Sequence, residues 1–295
     1  MLSLKGMAMG AANVIPGVSG GTIAFITGIY ERLINALKSI DLHSIRLLGT
    51  LRIKDLSKHI DLPFLLAIFT GVLISILSLA KALEYAFEYY EILTLAFFFG
   101  LIVASIFGVG RQISTLSLIV VLSFLIGASI ALSIAFLTPA TANDSFFYVF
   151  LCGVVAVCSM ILPGLSGSYI LLLMGNYVLV LRAISSFDFG VLVPLLLGCI
   201  AGLAIFSRLL SFLFSHYKDA TVSLLTGFVA GSLLIIWPWK DTRMEEVTNG
   251  KMKPVGYDWY LPAADADFFL ALALAIVGFV LVWGMEKFSQ QKPSK

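Results

Sequence analysis

The stretch NVIPGVSGGT at residues 13–22 recurs as MILPGLSGSY at residues 160–169. The shared residues, always 147 positions apart, are Pro16/Pro163, Gly17/Gly164, Ser19/Ser166, Gly20/Gly167, Gly28/Gly175, Tyr30/Tyr177 and Ala36/Ala183. Because proline, glycine and tyrosine match in order, the similarity indicates an internal repeat and not a chance resemblance between two apolar segments.

A second block of matches follows at a different spacing. Its members, 127 positions apart, are Gly71/Gly198, Lys81/Arg208, Leu83/Leu210, Phe87/Phe214, Tyr90/Tyr217, Thr94/Thr221, Gly100/Gly227 and Ser105/Ser232. The two spacings differ by 20 residues, about the length of the segment 41–60. We therefore predict a first repeat at 1–140 that equals the second repeat at 141–295 plus an inserted segment.

The composition is that of a membrane protein. Of the 295 residues, 60% are hydrophobic and 12% are charged, whereas a soluble domain has about 25% charged residues. A net charge of +2 without a long basic run gives no reason to expect nucleic-acid binding. Cys152, Cys158 and Cys199 lie in apolar stretches, so we interpret them as small apolar residues and not as a disulfide framework.

Six apolar stretches are long enough to cross the roughly 30 Å of hydrocarbon in a bilayer. They are residues 62–80, 92–109, 116–137, 190–207, 221–237 and 268–283. Two further apolar regions, 7–37 and 146–184, are broken near the middle by Pro-Gly. The prediction is an all-α polytopic membrane protein with two inverted-topology repeats, each a re-entrant helical hairpin plus three transmembrane helices.

The distribution of basic residues favours the inverted arrangement. If 7–37 and 146–184 are re-entrant, three crossings invert the second repeat, and most basic residues fall on one side. These are Lys38, Arg46, Arg52, Lys54, Lys58, Arg111, Lys218, Lys287, Lys292 and Lys295; the opposite loop 138–145 has none. The positive-inside rule then predicts cytoplasmic termini. In the alternative, where both segments cross fully, the halves are parallel and the basic tail lies outside.

Two connecting segments are polar. Within residues 41–58, Leu42, Ile45, Leu48 and Leu51 recur every three residues among basic residues. This pattern predicts an amphipathic helix on the membrane surface, the alternative being a solvated loop. Residues 240–267 are predicted to form a polar loop with charges of both signs. This loop fits the inverted arrangement less well, because its four basic residues would lie outside.

The Pro-Gly motifs predict an anion site. A broken helix in a membrane is tolerated where it is buried in protein or lines a cavity, and the helix that restarts offers free N–H groups and a positive dipole end. Two such breaks would converge near the midplane. The predicted phosphate-binding residues are Asn13, Pro16, Gly17, Ser19, Gly20, Gly21, Thr22, Pro163, Gly164, Ser166, Gly167 and Ser168. The alternative is close helix packing by small residues.

Charged residues beside the spans are further candidates, because charge is costly there. The candidates for contact with the phosphate are Glu31, Arg32, Lys81, Arg182 and Arg208. Lys81 and Arg208 match in the repeat, and snorkelling at a span end is their alternative role. Glu84, Glu88 and Glu91 have helical spacing and could carry protons, although a solvated helix face explains them as well.

The residues GAANVIPGVSGGTIAFITGIYERLI at 10–34 and ILPGLSGSYILLLMGNY at 161–177 resemble the bacterial polyprenyl-phosphate transporters of the PopT type. The resemblance covers essentially the whole chain. It implies a translocase, not an enzyme, that returns undecaprenyl phosphate, the lipid carrier of cell-wall building blocks, from the outer to the inner leaflet of the bacterial plasma membrane. No cofactor or metal is expected. Coupling to protons or sodium ions and homodimer formation are left open by the sequence.

Two other functions compete with transport of a lipid. Undecaprenyl-pyrophosphate phosphatases carry a PGxSRSxxT-like motif, but here Gly20 and Gly167 stand in place of the arginine. No acidic residue lies at 1–16 or 146–163, so charge stabilisation and a base for phosphoryl transfer are missing where they are expected. The other alternative is an inorganic-anion channel, since broken helices with small residues also suit chloride or phosphate.

Overall fold

The computed structural model of the chain describes residues 2–14, 19–247 and 251–290. The helices are α1 (Leu2–Val14), α2 (Gly20–Ile26), α3 (Tyr30–Lys38), α4 (Leu42–Gly49), α5 (Ile53–His59), α6 (Leu62–Gly110), α7 (Leu118–Ala135), α8 (Phe146–Ile161), α9 (Gly167–Leu173), α10 (Tyr177–Ser186), α11 (Phe189–His216), α12 (Lys218–Ser232) and α13 (Ala266–Gln290). The strands are β1 (Lys240–Val247) and β2 (Lys251–Trp259). The prediction of a mainly helical chain is confirmed.

Four helical stretches in the described residues are long and apolar enough to cross a bilayer. They are Tyr85–Gly110, Leu118–Ala135, Phe189–His216 and Ala266–Gly284. Two bent pairs reach the required length only together: α5 with Leu62–Ser75, bent by 72°, and α9 with α10, bent by 111°. The chain is therefore a multi-pass helical membrane protein with four spans, or up to six if each bent pair is one span.

Some predicted spans differ from the helices of the structure. The stretches 62–80 and 92–109 both lie in α6, which consists of two helices joined across a kink at Tyr90, where the backbone is not helical. The polar residues between them stay helical because lysine, alanine, leucine and glutamate are good helix formers. The predicted span 221–237 is shorter than expected, since α12 ends at Ser232 and turns follow.

The chain divides into two compact units, and each takes residues from both predicted repeats. One unit comprises Met1–Ala80 and Ala140–Thr221, and the other Lys81–Pro139 and Val222–Lys295. In the first unit, α8 and α3 both pack against α11, and α1 packs against α2. The first unit therefore contains both Pro-Gly motifs.

Residues that match in the repeat also share their backbone conformation. Tyr90 has φ −141° and ψ 45°, and Tyr217, between α11 and α12, has φ −135° and ψ 49°. In both places the threonine four residues later donates its hydroxyl to the tyrosine carbonyl, Thr94 to Tyr90 and Thr221 to Tyr217, each over 2.8 Å. The two tyrosines, which are 127 positions apart, therefore share the same local backbone structure and the same hydrogen bond.

Close contacts between helices recur in the same way. Glycines bring two helix pairs of the first unit so close that an added Cβ would collide with a carbonyl oxygen of the opposite helix. The contacts are Gly6 with Ile68 and Gly71 with Ser3 between α1 and α6, and Gly153 with Leu195 and Gly198 with Phe150 between α8 and α11. Every member of the first set corresponds to a member of the second at one of the two repeat spacings.

The inserted segment forms two short helices where the sequence predicted one. Helix α4 begins with a capping box, in which the Asp41 carboxylate accepts from the Ser44 N–H over 2.9 Å. It ends at Gly49, and Leu51 then adopts a left-handed φ of 55° before α5 begins. Glycine and threonine are weak helix formers, so the helix breaks there. Leu48, Leu51 and Ile53 are exposed around the break.

The prediction of a polar loop at 240–267 is wrong in part, because β1 and β2 pair there as an antiparallel hairpin in the second unit. Trp259 Nε1 donates to the Leu234 carbonyl over 2.9 Å and fastens the hairpin to the residues after α12. The sequence contains the dipeptide Asn249-Gly250 between the strands, which is typical of hairpin turns and was the signal for this element. The all-α prediction therefore needs this one addition.

Candidate functional site

The second Pro-Gly motif breaks the chain between α8 and α9. Leu162 has an extended backbone (φ −64°, ψ 128°), as expected for a residue before proline. Gly164 follows with a φ of +87°, a left-handed conformation that glycine adopts without strain. Ser166 is the N-cap of α9. The local sequence therefore ends one helix and begins another within a few residues.

The first motif breaks the chain between α1 and α2. Pro16 and Gly17 lie outside the described residues, and the structure continues at Ser19, the N-cap of α2. Helix α2 is followed by a turn in which Gly28 has a φ of +70°, and α9 is followed by a turn in which Gly175 has a φ of +76°. Both motifs thus lead into a short helix, a glycine turn and a second short helix.

The two motifs meet inside the first unit, as the sequence predicted. The N–H of Gly164 donates to Thr22 Oγ1 over 2.8 Å, and both residues are buried. Ser19 Oγ donates to the Met160 carbonyl over 3.2 Å. Hydroxyls of the first motif are therefore used to bind the backbone of the second.

Tyr30 makes a third contact of this kind. Its hydroxyl donates to the Ile161 carbonyl over 3.0 Å, and its ring packs at 5.4 Å from Phe25 and 5.8 Å from Phe214. Gly21 lies beside the same carbonyl, since an added Cβ would be 2.6 Å from the Ile161 oxygen. Sequence reasoning missed Tyr30 as a site residue, although its match with a tyrosine in the other repeat was a usable signal.

The polar groups at the start of α2 bond within the first motif. Gly20 N–H donates to Asn13 Oδ1 over 2.7 Å, and Gly21 N–H donates to Ser19 Oγ over 3.1 Å. The Thr22 N–H donates to the Ser19 carbonyl over 2.9 Å. Ser19 and Thr22 are buried. These donors are therefore occupied by the protein itself.

The start of α9 is different. Ser166 makes no side-chain cap to the helix; its Oγ lies 2.9 Å from Ser168 Oγ, and the Ser168 side chain is exposed. Gly167 lets α9 approach α8, because an added Cβ would be 2.8 Å from the Ala156 carbonyl oxygen. This helix start presents hydroxyls that the rest of the protein does not engage among the described residues.

The predicted charged residues of the first copy, Glu31 and Arg32, lie in the first turn of α3, just after the turn that follows α2. Arg32 donates two hydrogen bonds to Asp61, at 2.7 and 3.1 Å, and these hold the pKa of the Asp61 carboxyl below its usual value. Arg32 and Glu31 line an open cavity of about 520 Å³ together with Asn35 and His59. Arg32 is thus already paired with a carboxylate.

The remaining charged candidates are exposed or not described. Arg182 and Arg208 are exposed, and neither forms an ion pair within the described ranges. Arg208 Nη1 donates to the Ala204 carbonyl of its own helix over 3.0 Å. The side chains of Lys81 and Glu84 lie outside what the structure describes, and Glu88 and Glu91 are exposed.

Helix α3 is also fixed by polar contacts that the sequence did not indicate. Lys38 Nζ donates to Ser211 Oγ over 3.0 Å, and Ser211 Oγ donates to Asn35 Oδ1 over 2.9 Å. In the same segment, Lys5 Nζ of α1 donates to the Thr27 carbonyl at the end of α2 over 2.6 Å. Helix α3 is therefore fixed to α11, and the end of α2 is fixed to α1.

Paired broken helices inside a multi-pass helical protein are a means by which many membrane transporters build substrate sites, and the helices around the two motifs are of this kind. The chain belongs to the undecaprenyl phosphate translocase-like family, whose model matches residues 9–253. This confirms the resemblance found in the motifs.

Two curated relatives carry the name polyprenyl-phosphate transporter. The protein of Vibrio cholerae is 39% identical over 98% of this chain and 96% of its own length. The protein of Staphylococcus aureus is 29% identical over 94% of this chain and 93% of its own length. No solved structure matches the chain.

Proposed function

We propose that this protein is a translocase that carries undecaprenyl phosphate from the outer to the inner leaflet of the bacterial plasma membrane. The observation that carries the proposal is the meeting of the two Pro-Gly motifs at the Thr22–Gly164 hydrogen bond. The names of the two relatives support a polyprenyl phosphate as the substrate. Neither observation gives the direction of transport, which rests on the resemblance alone.

The phosphate head group binds at the motifs, in this proposal, and mainly at the second one. A phosphate monoester carries about 1.5–2 negative charges at neutral pH, so the site must replace its water with donors. The start of α9 offers the hydroxyls of Ser166 and Ser168 and a helix dipole. The start of α2 offers less, because its amides already donate to Asn13 and Ser19.

Full countercharge requires basic side chains in addition to the helix dipole. Arg208 is the strongest candidate, because it is exposed and free of ion pairs within the described residues, whereas Arg32 is held by Asp61. Lys81, its partner in the repeat, is proposed for the same role from the sequence match. The long apolar tail of the substrate stays in the bilayer while only the head group is carried by the protein.

The two repeats are proposed to have inverted topology, with both termini in the cytoplasm. The recurrence of one backbone conformation at Tyr90 and Tyr217 supports the repeat. The bend of 111° between α9 and α10 supports a re-entrant second motif. Cysteine labelling at Thr141 and Ser289 tests the inversion: reagent access from opposite sides is expected, and access from the same side would exclude it.

Transport is tested with purified protein in vesicles that contain radiolabelled polyprenyl phosphate. A membrane-impermeant phosphatase added outside releases only the outer-leaflet phosphate from protein-free vesicles. With the protein present, the released fraction should grow as lipid from the inner leaflet reaches the outside. Equal release with and without protein would contradict the proposal.

Two controls separate transport from the competing functions. Without the added phosphatase, the vesicles should release no phosphate from polyprenyl phosphate or polyprenyl pyrophosphate; sustained release would identify a phosphatase. Vesicles loaded with inorganic phosphate or chloride should retain them, whereas rapid loss would identify an anion channel. Lipid transport that depends on the protein, with both controls negative, is the expected result.

A further inference from the structure

Thr22 holds Gly164, the residue of the second motif that has a left-handed backbone conformation. The Thr22 side chain is fully buried, and its Oγ1 accepts the N–H of Gly164. Gly164 has a left-handed φ of +87°, so its peptide is not oriented as in a helix. The bond crosses from the first repeat to the second. The direction of the peptide at the centre of the break is therefore set by a side chain from the other motif.

Two further hydroxyls hold the end of the helix that precedes the break. The last carbonyls of a helix have no partner within the helix. In α8 the Ile161 carbonyl accepts from Tyr30 and the Met160 carbonyl from Ser19. Three hydroxyls of one segment thus bind both sides of the break between α8 and α9.

Two residues of the second copy make different contacts from their matches in the first copy, within the described residues. Ser166, which matches Ser19, lies 2.9 Å from Ser168 Oγ instead of a carbonyl of the first motif. Tyr177, which matches Tyr30, is only half-buried, and its hydroxyl makes no hydrogen bond within the described ranges. Ser166 and Tyr177 therefore differ in their contacts from their matches Ser19 and Tyr30.

We infer that Thr22 and Tyr30 are positioning residues for the head-group site: their hydroxyls hold the backbone at 160–164 so that α9 begins with its serines turned to the substrate, and neither side chain touches the phosphate. The inference rests on the proposed function. It reassigns Thr22, which the sequence suggested as a direct ligand, because its oxygen is occupied by Gly164 and it is buried.

Substitutions at Thr22 separate positioning from packing. Thr22→Val keeps the shape and removes the hydroxyl, whereas Thr22→Ser keeps the hydroxyl and removes a methyl group. A packing role predicts that serine is worse, since it leaves a cavity in a buried site. Positioning predicts that valine is worse, since the Gly164 N–H loses its acceptor.

The readout is the concentration of polyprenyl phosphate that gives half-maximal transport in the vesicle assay, compared with the maximal rate. We expect Thr22→Val to raise this concentration about tenfold, because the buried hydrogen bond to the Gly164 N–H is lost. The maximal rate should change much less. Thr22→Ser should remain within about twofold of the wild type, since the bond is retained.

Tyr30 provides the second test, with its repeat partner as the matched control. Tyr30→Phe removes one hydroxyl and should raise the half-maximal concentration several-fold, while Tyr177→Phe should leave it unchanged. Equal effects of the two substitutions, or a Thr22→Val protein that transports like the wild type, would overturn the positioning role. If the wild-type protein itself moves no lipid, the proposed function fails. If the wild type transports and the variants transport equally well, only the positioning role fails.

Discussion

The two copies of the Pro-Gly-x-Ser-Gly motif lead into the same order of elements but use their polar groups differently. In the first copy, the amides at the start of α2 donate to Asn13 and Ser19, and the Ser19 hydroxyl donates onward to Met160. In the second copy, the hydroxyls of Ser166 and Ser168 lie beside each other at the start of α9. One copy is closed by the protein, and the other keeps polar groups available.

Two positions explain this difference. Gly21 matches Ser168, and Thr22 matches Tyr169. Without a side chain, Gly21 can lie against the Ile161 carbonyl, which draws the first copy onto the second. A serine at the matching position keeps its side chain on the exposed side of α9. A repeat therefore need not be used symmetrically, even when its motif is nearly identical.

The short helices that follow the motifs show the same contrast. Ile34 in α3 is 1% exposed, whereas Leu181, its match in α10, is 46% exposed. Helix α3 packs against α11 and is fastened there by the hydrogen bonds of Lys38 and Asn35 to Ser211. At these matched positions the first copy is therefore the more deeply buried one.

The largest effect is expected from making the first copy resemble the second. In Gly21→Ser the new Cβ would lie 2.6 Å from the Ile161 oxygen, so the backbone must shift. Overpacking of this kind costs about 1–3 kcal/mol, and transport should fall to the background of protein-free vesicles. Gly49→Ser is the control, because a Cβ there meets open space. Normal transport by Gly21→Ser would show that the close contact is dispensable.

The serines of the second copy sharpen the comparison. Removing both hydroxyls, in Ser166→Ala with Ser168→Ala, should raise the half-maximal concentration of polyprenyl phosphate about tenfold or more. The reason is that hydrogen bonds to a charged group contribute about 1.5–3 kcal/mol each. Ser19→Ala should instead mainly lower the melting temperature, through loss of an N-cap of about 1 kcal/mol. The reverse pattern would place the head group at the first copy.

Arg208→Gln should weaken transport several-fold at low salt and less at high salt, because an exposed charge is screened by ions. Arg111→Gln, an exposed arginine of the other unit, is the control and should transport normally. The measurement is the half-maximal substrate concentration at two salt concentrations. A loss for Arg111→Gln as large as that for Arg208→Gln would indicate a general effect of surface charge.

The smallest effect concerns the anchored end of the first copy. Asp61→Asn removes the ion pair with Arg32, which is partly exposed and contributes at most about 1 kcal/mol. Because the pKa of Asp61 is lowered in the folded protein, the pair stabilises above the unfolded value of about 4 and its contribution is lost as the pH falls below it. The melting temperatures of variant and wild type should differ at pH 7, and the difference should shrink progressively as the pH falls below about 4. A difference that does not shrink on acidification would show that another contact of Asp61 is responsible.

The sequence predicted the features that depend on local composition. Apolar length predicted a multi-pass membrane protein, and Pro163 with Gly164 predicted the break between α8 and α9. The convergence of the two motifs followed from the repeat and is seen at Thr22 and Gly164. The family was predicted from the two long motifs at residues 10–34 and 161–177.

Other features depend on tertiary partners and were missed. The hydroxyl of Tyr30 has a role only because Ile161, far away in sequence, lies within reach. Ser19 and Thr22 were expected to bind phosphate, but which hydroxyls are occupied by protein cannot be known until the two motifs are placed together. The hairpin formed by β1 and β2 was not predicted, because its strands are short and mostly polar and lie outside the apolar stretches that mark the spans.

The glycine contacts between α1 and α6 and between α8 and α11 restrict how the protein can move. At Gly71 and Gly198 the helix backbones touch, with no side chain between them to change rotamer. A slide by one residue would push a neighbouring Cβ into the opposite carbonyl. We therefore expect each of these helix pairs to move as one rigid body. Conformational change during transport is then expected in the segments outside these contacts, such as the turn at Gly175.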